Sequence, residues 1–328
     1  MKPSVTIVLP TYERAVFLPE AIESALGQTR GDFVLSIGDN SSDDESERIV
    51  AGYDDPRIRY RRHPENLGQM GNWLWLIDDA DTPFVASLHD DDVWTPRFLE
   101  RMLPPIEADP TVSMVFADYQ LMDERGCDLP AETEALSARS HRDRLPAGTL
   151  DLTYPEMLRL IAVWNAPQPA YCAVLRRDAV VATDFLPEID PVYDIWLSYQ
   201  IARRGERVAY VPGRLTRYRW HPGSSTATGW ARPEDEIFAR ILTENPAAGE
   251  VLREIEQYWS WIRWGRAVRM MAGPETRRES RIEFRGAATA CASPFQRCIA
   301  TLAAQSDRNW DAFRRLRASV HRLRGETT

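Results

Sequence analysis

The chain has 328 residues, of which 44% are hydrophobic, enough for one large α/β domain with appendages or for two domains. No apolar run approaches the roughly 20 residues of a membrane-spanning helix, so we expect a soluble, cytoplasmic protein. The residues from Val251 onward include 15 arginines and 8 acidic residues, whereas the first 250 residues carry a net charge of −16. An acidic body with a basic tail argues against nucleic acid as the main ligand of the body.

Four apolar strands alternate with helices in the first ninety residues. The strands are predicted at Val5–Leu9, Phe33–Ile37, Ile58–Arg61 and Phe84–Leu88. Helices are predicted between them at Phe17–Leu26, near Glu45–Ala51 and from about Gln69 to Asp79. This alternation predicts a mainly parallel, Rossmann-like sheet with right-handed crossovers and flanking helices.

Polar residues follow three of these strands at their carboxyl ends. They are Pro10–Tyr12, Gly38–Ser41 and His89–Asp92. In open α/β sheets ligands bind beyond the carboxyl ends of the strands, so we expect the three segments to meet at one edge. The sequence lacks GxGxxG and GxxxxGK[ST], which disfavours a dinucleotide-binding oxidoreductase and a P-loop phosphotransferase.

Asp90, Asp91 and Asp92 form a run of carboxylates directly after an apolar strand. Adjacent carboxylates repel one another, and a divalent cation or a ligand rich in hydroxyls would compensate for that repulsion. The plain alternative is a solvated acidic turn before a helix, with Thr95 as N-cap and Pro96 at the first helical position. The expected convergence of strand ends favours the binding site.

The second half of the chain mixes strands and helices with one long polar segment. Arg125–Leu150 is polar without a clear period and is predicted to be a mobile loop or lid. The other predictions are strand Val112–Phe116 followed by Asp118, helix Tyr154–Val163, strand Tyr171–Leu175, a helix from about Val192 to Gly205, strand Val208–Val211, and the Arg-rich and aromatic stretch Leu215–Trp220.

After Trp230 the sequence changes to Arg-rich helical patterns without strand signals. Tyr258–Trp264 is a dense aromatic cluster, and Phe313–Leu323 is an amphipathic basic helix. These helices are compatible with packing on the α/β body, with a homodimer interface, or with peripheral contact to the anionic inner face of a membrane. We divide the chain into an α/β domain at 1–228, with halves at 1–118 and 119–228, and a helical subdomain at 229–328.

Several motifs in fixed order carry a resemblance to a known family. They are VTIVLPTYER, IGDNSSDD, HPENLGQMGNW, SLHDDDVW, PVYDIWLSYQIARRG and YVPGRLTRYRWHPGSS. Together they resemble family 2 glycosyltransferases over about Ser4–Ser225. The resemblance implies a GT-A-type α/β fold and inverting transfer of a sugar from a nucleoside diphosphate donor, with UDP favoured, to a hydroxyl acceptor.

Alternatives to this function differ in the acceptor or in the class of protein. The acceptor would be a cell-surface glycan, including one on a lipid carrier, or a small natural product. A catalytically silent nucleotide-sugar binding protein is the alternative of another class. A sugar-1-phosphate nucleotidyltransferase is disfavoured because TYERAVF lacks the glycine and lysine expected in its first turn.

The resemblance implies a set of residues that bind the nucleotide sugar. They are Pro10, Thr11, Tyr12, Asp39, Asn66, Gly68 and Asp90, with Arg217 and Arg219 as phosphate partners. Asp39 occupies the base-binding position, where a carboxylate would accept the imide N–H of a pyrimidine. Gly38 stands where the family usually has a second acid.

The resemblance also implies a metal site for Mn²⁺ or Mg²⁺, cations that prefer oxygen ligands. Asp91 matches the metal-binding aspartate, and Asp92 would add a metal contact or cap the next helix. His221 would complete the metal shell or touch the diphosphate. His89 departs from the acidic residue frequent at its position, which leaves open which carboxylate leads.

Asp194 matches the general base of the family. An inverting transfer needs a carboxylate that removes the proton of the acceptor hydroxyl as that oxygen attacks the sugar. Glu188 and Asp190 are nearby substitutes. The plain alternative for Asp194 is a carboxylate favoured by the dipole at a helix start.

Overall fold

The computed structural model describes residues 2–167, 172–190, 192–221, 233–272, 276–291 and 293–324. The chain divides into two compact units, and the boundary between them falls between Ile237 and Phe238. The predicted boundary between residues 228 and 229 lies outside the described residues and stays a prediction. The same holds for Tyr171 at the start of a predicted strand and for Pro222–Ser225 in the predicted closing loop.

A nine-stranded sheet forms the centre of the first unit. Its strands are β1 Val5–Thr11, β2 Phe33–Asp39, β3 Ile58–Arg62, β4 Phe84–Ser87, β5 Val93–Trp94, β6 Val112–Met122, β7 Gly148–Thr149, β8 Ala173–Arg176 and β9 Arg207–Arg219. The order is β3-β2-β1-β4-β8-β6-β9-β5, with β7 also paired to β9. β1 to β4 run parallel, as do β6 and β9, whereas β8, β5 and β7 pair antiparallel with their neighbours.

Helices flank the sheet. Those of the first unit are α1 Leu18–Leu26, α2 Glu45–Ala51, α3 Gly68–Asp78, α4 Phe98–Ala108, α5 Pro130–Arg139, α6 Tyr154–Ala162 and α7 Tyr193–Arg203. The α/β fold class is therefore confirmed, and the antiparallel pairs that make the sheet mixed all involve strands after β4. Every strand and helix predicted in the first ninety residues is present, with ends within two residues of the prediction.

Alternating side chains of the central strand β1 separate the two faces of the sheet. Val5, Ile7 and Leu9 belong to a buried core shared with α1, α2 and α4. On the opposite face the Trp73 indole of α3 donates to Ser87 Oγ of β4 at 2.8 Å. Because β1 lies between β2 and β4, the carboxyl ends of these three strands adjoin each other.

The helix after the acidic run begins later than predicted. α4 starts at Phe98 with Arg97 at its N-cap position, so Thr95 and Pro96 are not the cap and the first residue. Thr95 instead lies in a turn after β5, where its backbone N–H donates to Leu215 O at 2.9 Å. The same shift rules out Asp92 as a cap of this helix.

The segment predicted to be a polar loop or lid contains regular structure. It holds helix α5, a short 3-10 helix at Arg142–Arg144 and strand β7. The prediction missed α5 because Thr133 is its only buried residue and no apolar period marks the helix. Thr133 Oγ1 accepts from Leu121 N at 2.9 Å and from Gln120 Nε2 at 2.8 Å, so polar contacts attach α5 to β6.

Two strands of the second half are longer than predicted. β6 continues past Phe116 to Met122, and β9 joins the predicted strand Val208–Val211 to the stretch from Leu215. The Pro212-Gly213 pair separates these two predicted segments, but the strand continues through it with an irregularity in its pairing with β6. β9 thereby extends to the edge of the acidic run.

The second unit is helical, as predicted. The boundary between the units falls within α8 Pro233–Glu244. The helices that follow are α9 Glu250–Arg269, α10 Arg277–Ala290, α11 Pro294–Gln305 and α12 Asp307–Arg324. Phe284 and Trp310 are fully buried in its core, and Trp264 of the predicted aromatic cluster packs against that core. None of the described helices is both long enough and apolar enough to span a bilayer.

Candidate functional site

A cavity of about 270 Å³ opens at the carboxyl ends of β1, β2 and β4. It is lined by Pro10, Thr11, Tyr12, Arg14, Asn40, Asn66, Gly68, Gln69, Asn72, His89 and Asp90. The structure thus brings together the three polar strand ends that the sequence predicted to meet. Of the predicted nucleotide-sugar residues, six line this cavity.

Asp90 is fixed by the first turn of the chain. Its Oδ2 accepts from Thr11 Oγ1 at 2.7 Å and from the Tyr12 backbone N–H at 3.3 Å. Burial, followed by the neighbouring Asp91 charge, raises the pKa of Asp90 to about 7. Asp90 is therefore a carboxyl whose ionisation depends on a nearby positive charge.

Arg14 supplies such a charge, although the sequence analysis did not select it. Its Nη1 lies 3.3 Å from Asp90 Oδ1 and 2.5 Å from Asp91 Oδ2. The only signal in the sequence was a cation three residues after the end of β1, within the motif VTIVLPTYER. Gln69 and Asn72 of the cavity lining were also missed, and Asn40 was expected at this edge of the sheet without a role of its own.

Asp91 is the ionised member of the acidic run. His221 Nε2 lies 3.1 Å from Asp91 Oδ2, the oxygen that Arg14 also contacts. Burial acts to raise the pKa of Asp91, but the His221 contact and the Arg14 charge outweigh it and lower that pKa below its usual range. His221 packs against Phe17, which directly precedes α1, with ring centroids 5.0 Å apart.

Asp92 is completely buried at the end of the same run. Its Oδ1 accepts from the Arg219 backbone N–H at 2.8 Å, while its Oδ2 is buried without a hydrogen-bond partner among the described residues. Burial and then the Asp91 charge raise its pKa well above the usual range. A buried carboxylate oxygen without a donor is the kind of atom that a cation would satisfy.

These groups fit a divalent cation. In the described part of the chain, three possible ligand atoms lie within 4.8 Å of one another, one each from His89, Asp91 and Asp92. Burial lowers the pKa of His89 to about 4, so its imidazole is neutral near pH 7, as a metal ligand must be. The geometric set thus contains both predicted aspartates and His89, while the predicted His221 lies beside it on Asp91.

Asp39 lies at the end of β2 with no exposed surface, and it is outside the cavity lining. Ser41 N donates to its Oδ1 and Tyr60 OH donates to its Oδ2, both at 2.7 Å. Asp39 therefore has a donor on each carboxylate oxygen and fixes the turn that follows β2.

Asn66 and Gly68 form the turn that opens α3, as expected of residues bordering a ligand site. Asn66 Oδ1 accepts from Gly68 N at 2.9 Å, and Gly68 has a φ of +78°. Asp190 Oδ1 accepts from Met70 N at 3.2 Å, so this carboxylate sits on the N-terminus of α3. Burial raises the pKa of Asp190.

Asp194 lies in the first turn of α7 and is not part of the cavity lining. Its Oδ1 accepts from Ile195 N at 2.9 Å, and burial raises its pKa to about 6. The adjacent Tyr193 packs on Trp73 of α3, with ring centroids 4.9 Å apart. α7 is thus attached to the helix that walls the cavity, and the carboxylate that reaches the backbone of that helix is Asp190.

Arg217 and Arg219 project differently from β9. Arg217 Nη2 donates to Gly126 O at 2.6 Å and to Asp128 Oδ1 at 2.8 Å, in the turn after β6. Arg219, with 1% of its surface exposed, donates through Nε to Asp91 O at 2.8 Å and through Nη2 to Glu20 Oε2 at 2.6 Å. Both guanidinium groups hold protein segments together here, so their predicted phosphate contacts stay a prediction.

Sequence comparison finds one family model along the first unit. The model "Glycosyl transferase family 2" matches residues 6–181. An uncharacterized glycosyltransferase of Methanocaldococcus jannaschii is 32% identical over 129 residues, which is 38% of this chain and 44% of that protein. One of Rickettsia felis is 32% identical over 130 residues, or 39% and 21% of the two chains. The chain thus spans less than half the length of these two relatives.

Structure comparison extends over nearly the whole chain. TarS residues 1–349 of S. aureus, crystallised with UDP-GlcNAc, superimpose with a TM-score of 0.64, covering 98% of this chain and 92% of that TarS fragment at 14% identity. The mannosyltransferase PcManGT of Pyrobaculum calidifontis, in complex with GDP-Man and Mn²⁺, gives a TM-score of 0.53 and covers 98% and 88% at 15% identity. Identities this low show a shared fold alone.

Proposed function

The chain belongs to glycosyl transferase family 2, and we propose that it moves a sugar from a nucleoside diphosphate donor, UDP in first place, to a hydroxyl acceptor with inversion. The observation that carries this proposal is the cavity at the ends of β1, β2 and β4, because it joins uncharged polar groups to the buried acidic run. The complexes of TarS with UDP-GlcNAc and of PcManGT with GDP-Man support a nucleotide-sugar donor.

The nucleoside would lie against the strand ends. Pro10, Thr11 and Tyr12 supply one wall of the cavity, and Asn66 and Gly68 supply the turn that opens α3. Asp90, held by Thr11 and Tyr12, would accept from the ribose hydroxyls.

Asp39 would receive the imide N–H of the base. Each carboxylate oxygen has more than one acceptor direction, so it can take a further donor beside Ser41 N and Tyr60 OH. The base must first displace the side chains that cover Asp39. Uracil and thymine offer the same imide, and the GDP-Man complex of PcManGT keeps guanine as the alternative.

The acidic run would hold Mn²⁺ or Mg²⁺. Asp91 and Asp92 would be its carboxylate ligands, with His89 or His221 as the nitrogen ligand. A cation bound there supplies Lewis acidity that neutralises the departing diphosphate. Arg219 keeps the run in place by binding the Asp91 carbonyl and the Asp92 carboxylate.

Asp194 would act as the general base. A carboxyl with a pKa near 6 is ionised at pH 7 yet basic enough to accept the proton of a hydroxyl in the transition state. The neighbouring Tyr193 packs on Trp73 of α3, the helix whose first turn lines the cavity, which supports a position of Asp194 near the donor. Asp190, the other candidate, already has its carboxylate on the backbone of α3.

The acceptor would be a growing cell-surface glycan, with a small natural product as the alternative. The Arg-rich sequence of the second unit favours a lipid-linked acceptor, because basic segments bind to anionic membrane surfaces. The same helices would otherwise form a homodimer interface.

Turnover with a panel of donors tests the proposal. Purified full-length chain is incubated with UDP-, dTDP- and GDP-sugars, with Mn²⁺, with Mg²⁺ or with EDTA, and free nucleoside diphosphate is measured. We expect metal-dependent release from one nucleotide class, and loss of release in Asp91→Asn. A chain that binds a donor but releases nothing under any of these conditions, with glycan and small-molecule acceptors added, would instead be a silent nucleotide-sugar binding protein.

A further inference from the structure

Arg14 occupies the centre of the acidic site. Its side chain is 25% exposed, and it lines the cavity while its Nη1 contacts Asp90 and Asp91. It thereby compensates the charge of the run through two different carboxylates. A divalent cation on the same carboxylates would serve the same electrostatic purpose.

Arg14 and a cation cannot bind the same oxygen of Asp91 together with His221. Asp91 Oδ2 already receives both Arg14 Nη1 and His221 Nε2, which fills its two acceptor directions. A cation on that oxygen requires one of them to leave. The guanidinium always carries a positive charge and is repelled by a divalent cation at contact distance, whereas an imidazole can itself ligate such a cation, so Arg14 is the group that leaves.

The backbone before Arg14 is held in an uncommon conformation. Glu13 has a φ of +52°, in the left-handed region that residues other than glycine rarely adopt. The Glu13 N–H donates to Ser41 Oγ at 2.8 Å, which ties this loop to the end of β2. Strain that is maintained by a neighbouring element points to a required position of the next side chain.

We propose that Arg14 is an exchangeable counter-ion: it neutralises Asp90 and Asp91 in the metal-free protein and passes to the donor diphosphate when a divalent cation binds. A planar guanidinium suits this exchange because it binds carboxylates and phosphates in the same fork geometry. Cation and nucleotide then bind with positive coupling, since the nucleotide stabilises the Arg14 position that the cation needs. This inference rests on the proposed cation site.

The test measures Mn²⁺ binding rather than turnover. Free Mn²⁺ is followed by electron paramagnetic resonance as the full-length chain is titrated, with and without UDP. Wild type is compared with Arg14→Gln and with Arg14→Met, a second variant in case the first does not fold. Arg14→Lys keeps the charge. Arg48→Gln is the matched control, because Arg48 is 69% exposed and pairs with Asp44 at the start of its own helix.

We expect Arg14→Gln and Arg14→Met to bind Mn²⁺ about fivefold or more tightly than wild type without UDP, at the low end of usual coupling between sites. UDP should raise the Mn²⁺ affinity of wild type, of Arg48→Gln and of Arg14→Lys by a larger factor than it raises that of the two neutral variants. Equal Mn²⁺ affinity of wild type and neutral variants, with binding present, overturns the exchange while leaving the metal site intact. No Mn²⁺ binding by any variant, with or without UDP, overturns the exchange together with the proposed metal dependence.

Discussion

Gly68 can be tested by substitution because its surroundings set two separate costs. Its φ of +78° is in the left-handed region, where a residue with a Cβ is destabilised by about 1 to 2 kcal/mol. An added Cβ would also lie 2.6 Å from Asp190 Oδ2. Moving that carboxylate away would lose its hydrogen bond from Met70 N, a bond to a charged group worth about 1.5 to 3 kcal/mol.

We therefore predict that Gly68→Ala lowers the free energy of unfolding by about 2.5 to 5 kcal/mol. Two other glycines separate the contributions. Gly205 has a φ of +69° with nothing near its added Cβ, so Gly205→Ala should cost the backbone strain alone, about 1 to 2 kcal/mol. Gly31 has neither constraint, and Gly31→Ala should change stability by less than about 0.5 kcal/mol.

Urea unfolding followed by circular dichroism measures all three substitutions. The reasoning also requires coupling: with Asp190→Ala already present, Gly68→Ala should cost no more than Gly205→Ala, because the contact to be displaced is gone. If Gly68→Ala costs the same as Gly205→Ala in the wild-type background, Asp190 does not sit on the start of α3, and the link between that helix and Asp190 is refuted.

Three further predictions concern charged and polar groups of the site. Asp194→Asn should abolish transfer with donor binding by calorimetry retained, and the wild-type rate should rise with pH through about 6. Burial raises the pKa of Asp194 from the usual 3.8 to about 6, so the folded wild type should lose stability as the pH rises through this interval, and Asp194→Asn should not. A wild-type rate that does not rise near pH 6, or a wild-type stability that does not fall between these two pH values, contradicts the assignment. Tyr60→Phe removes the donor to Asp39 Oδ2 and should cost about 1 to 3 kcal/mol in urea unfolding; an unchanged midpoint would show that Asp39 is not held this way. Arg219→Met should destabilise by about 1.5 to 3 kcal/mol because it removes the charged donor to the buried Asp91 carbonyl, whereas Arg217→Met should cost about 1 kcal/mol or less, and equal costs in the same assay would count against the different placements.

The first ninety residues could be predicted from the sequence because local patterns determine them. Val5–Leu9 and Phe84–Leu88 each contain four apolar residues out of five, and the helices between the strands have apolar residues at helical spacing. The acidic run at the end of β4 follows directly from that pattern. Its place beside the ends of β1 and β2 follows from the parallel order of the strands.

The rest depended on contacts that no local pattern records. α5 was missed because a single threonine, rather than an apolar face, attaches it to the sheet. Arg14 meets Asp90 and Asp91 across 76 and 77 residues, and Asp190 reaches Met70 across 120. The two arginines of β9 are only two residues apart in the sequence, yet one binds an exposed turn and the other is buried behind the acidic run.

Binding of UDP measured by calorimetry, with Mn²⁺ and with EDTA, tests the central claim that the acidic run and the adjoining cavity form one metal-dependent nucleotide site. Wild type should bind UDP more tightly in Mn²⁺ by about fivefold or more, the low end of the usual coupling between two bound ligands. Asp91→Asn should lose this dependence, and Asp32→Asn, at a carboxylate paired with Arg30 at the other end of the strands, should keep it. UDP binding that is the same in Mn²⁺ and EDTA, or the same in wild type and Asp91→Asn, would contradict the account.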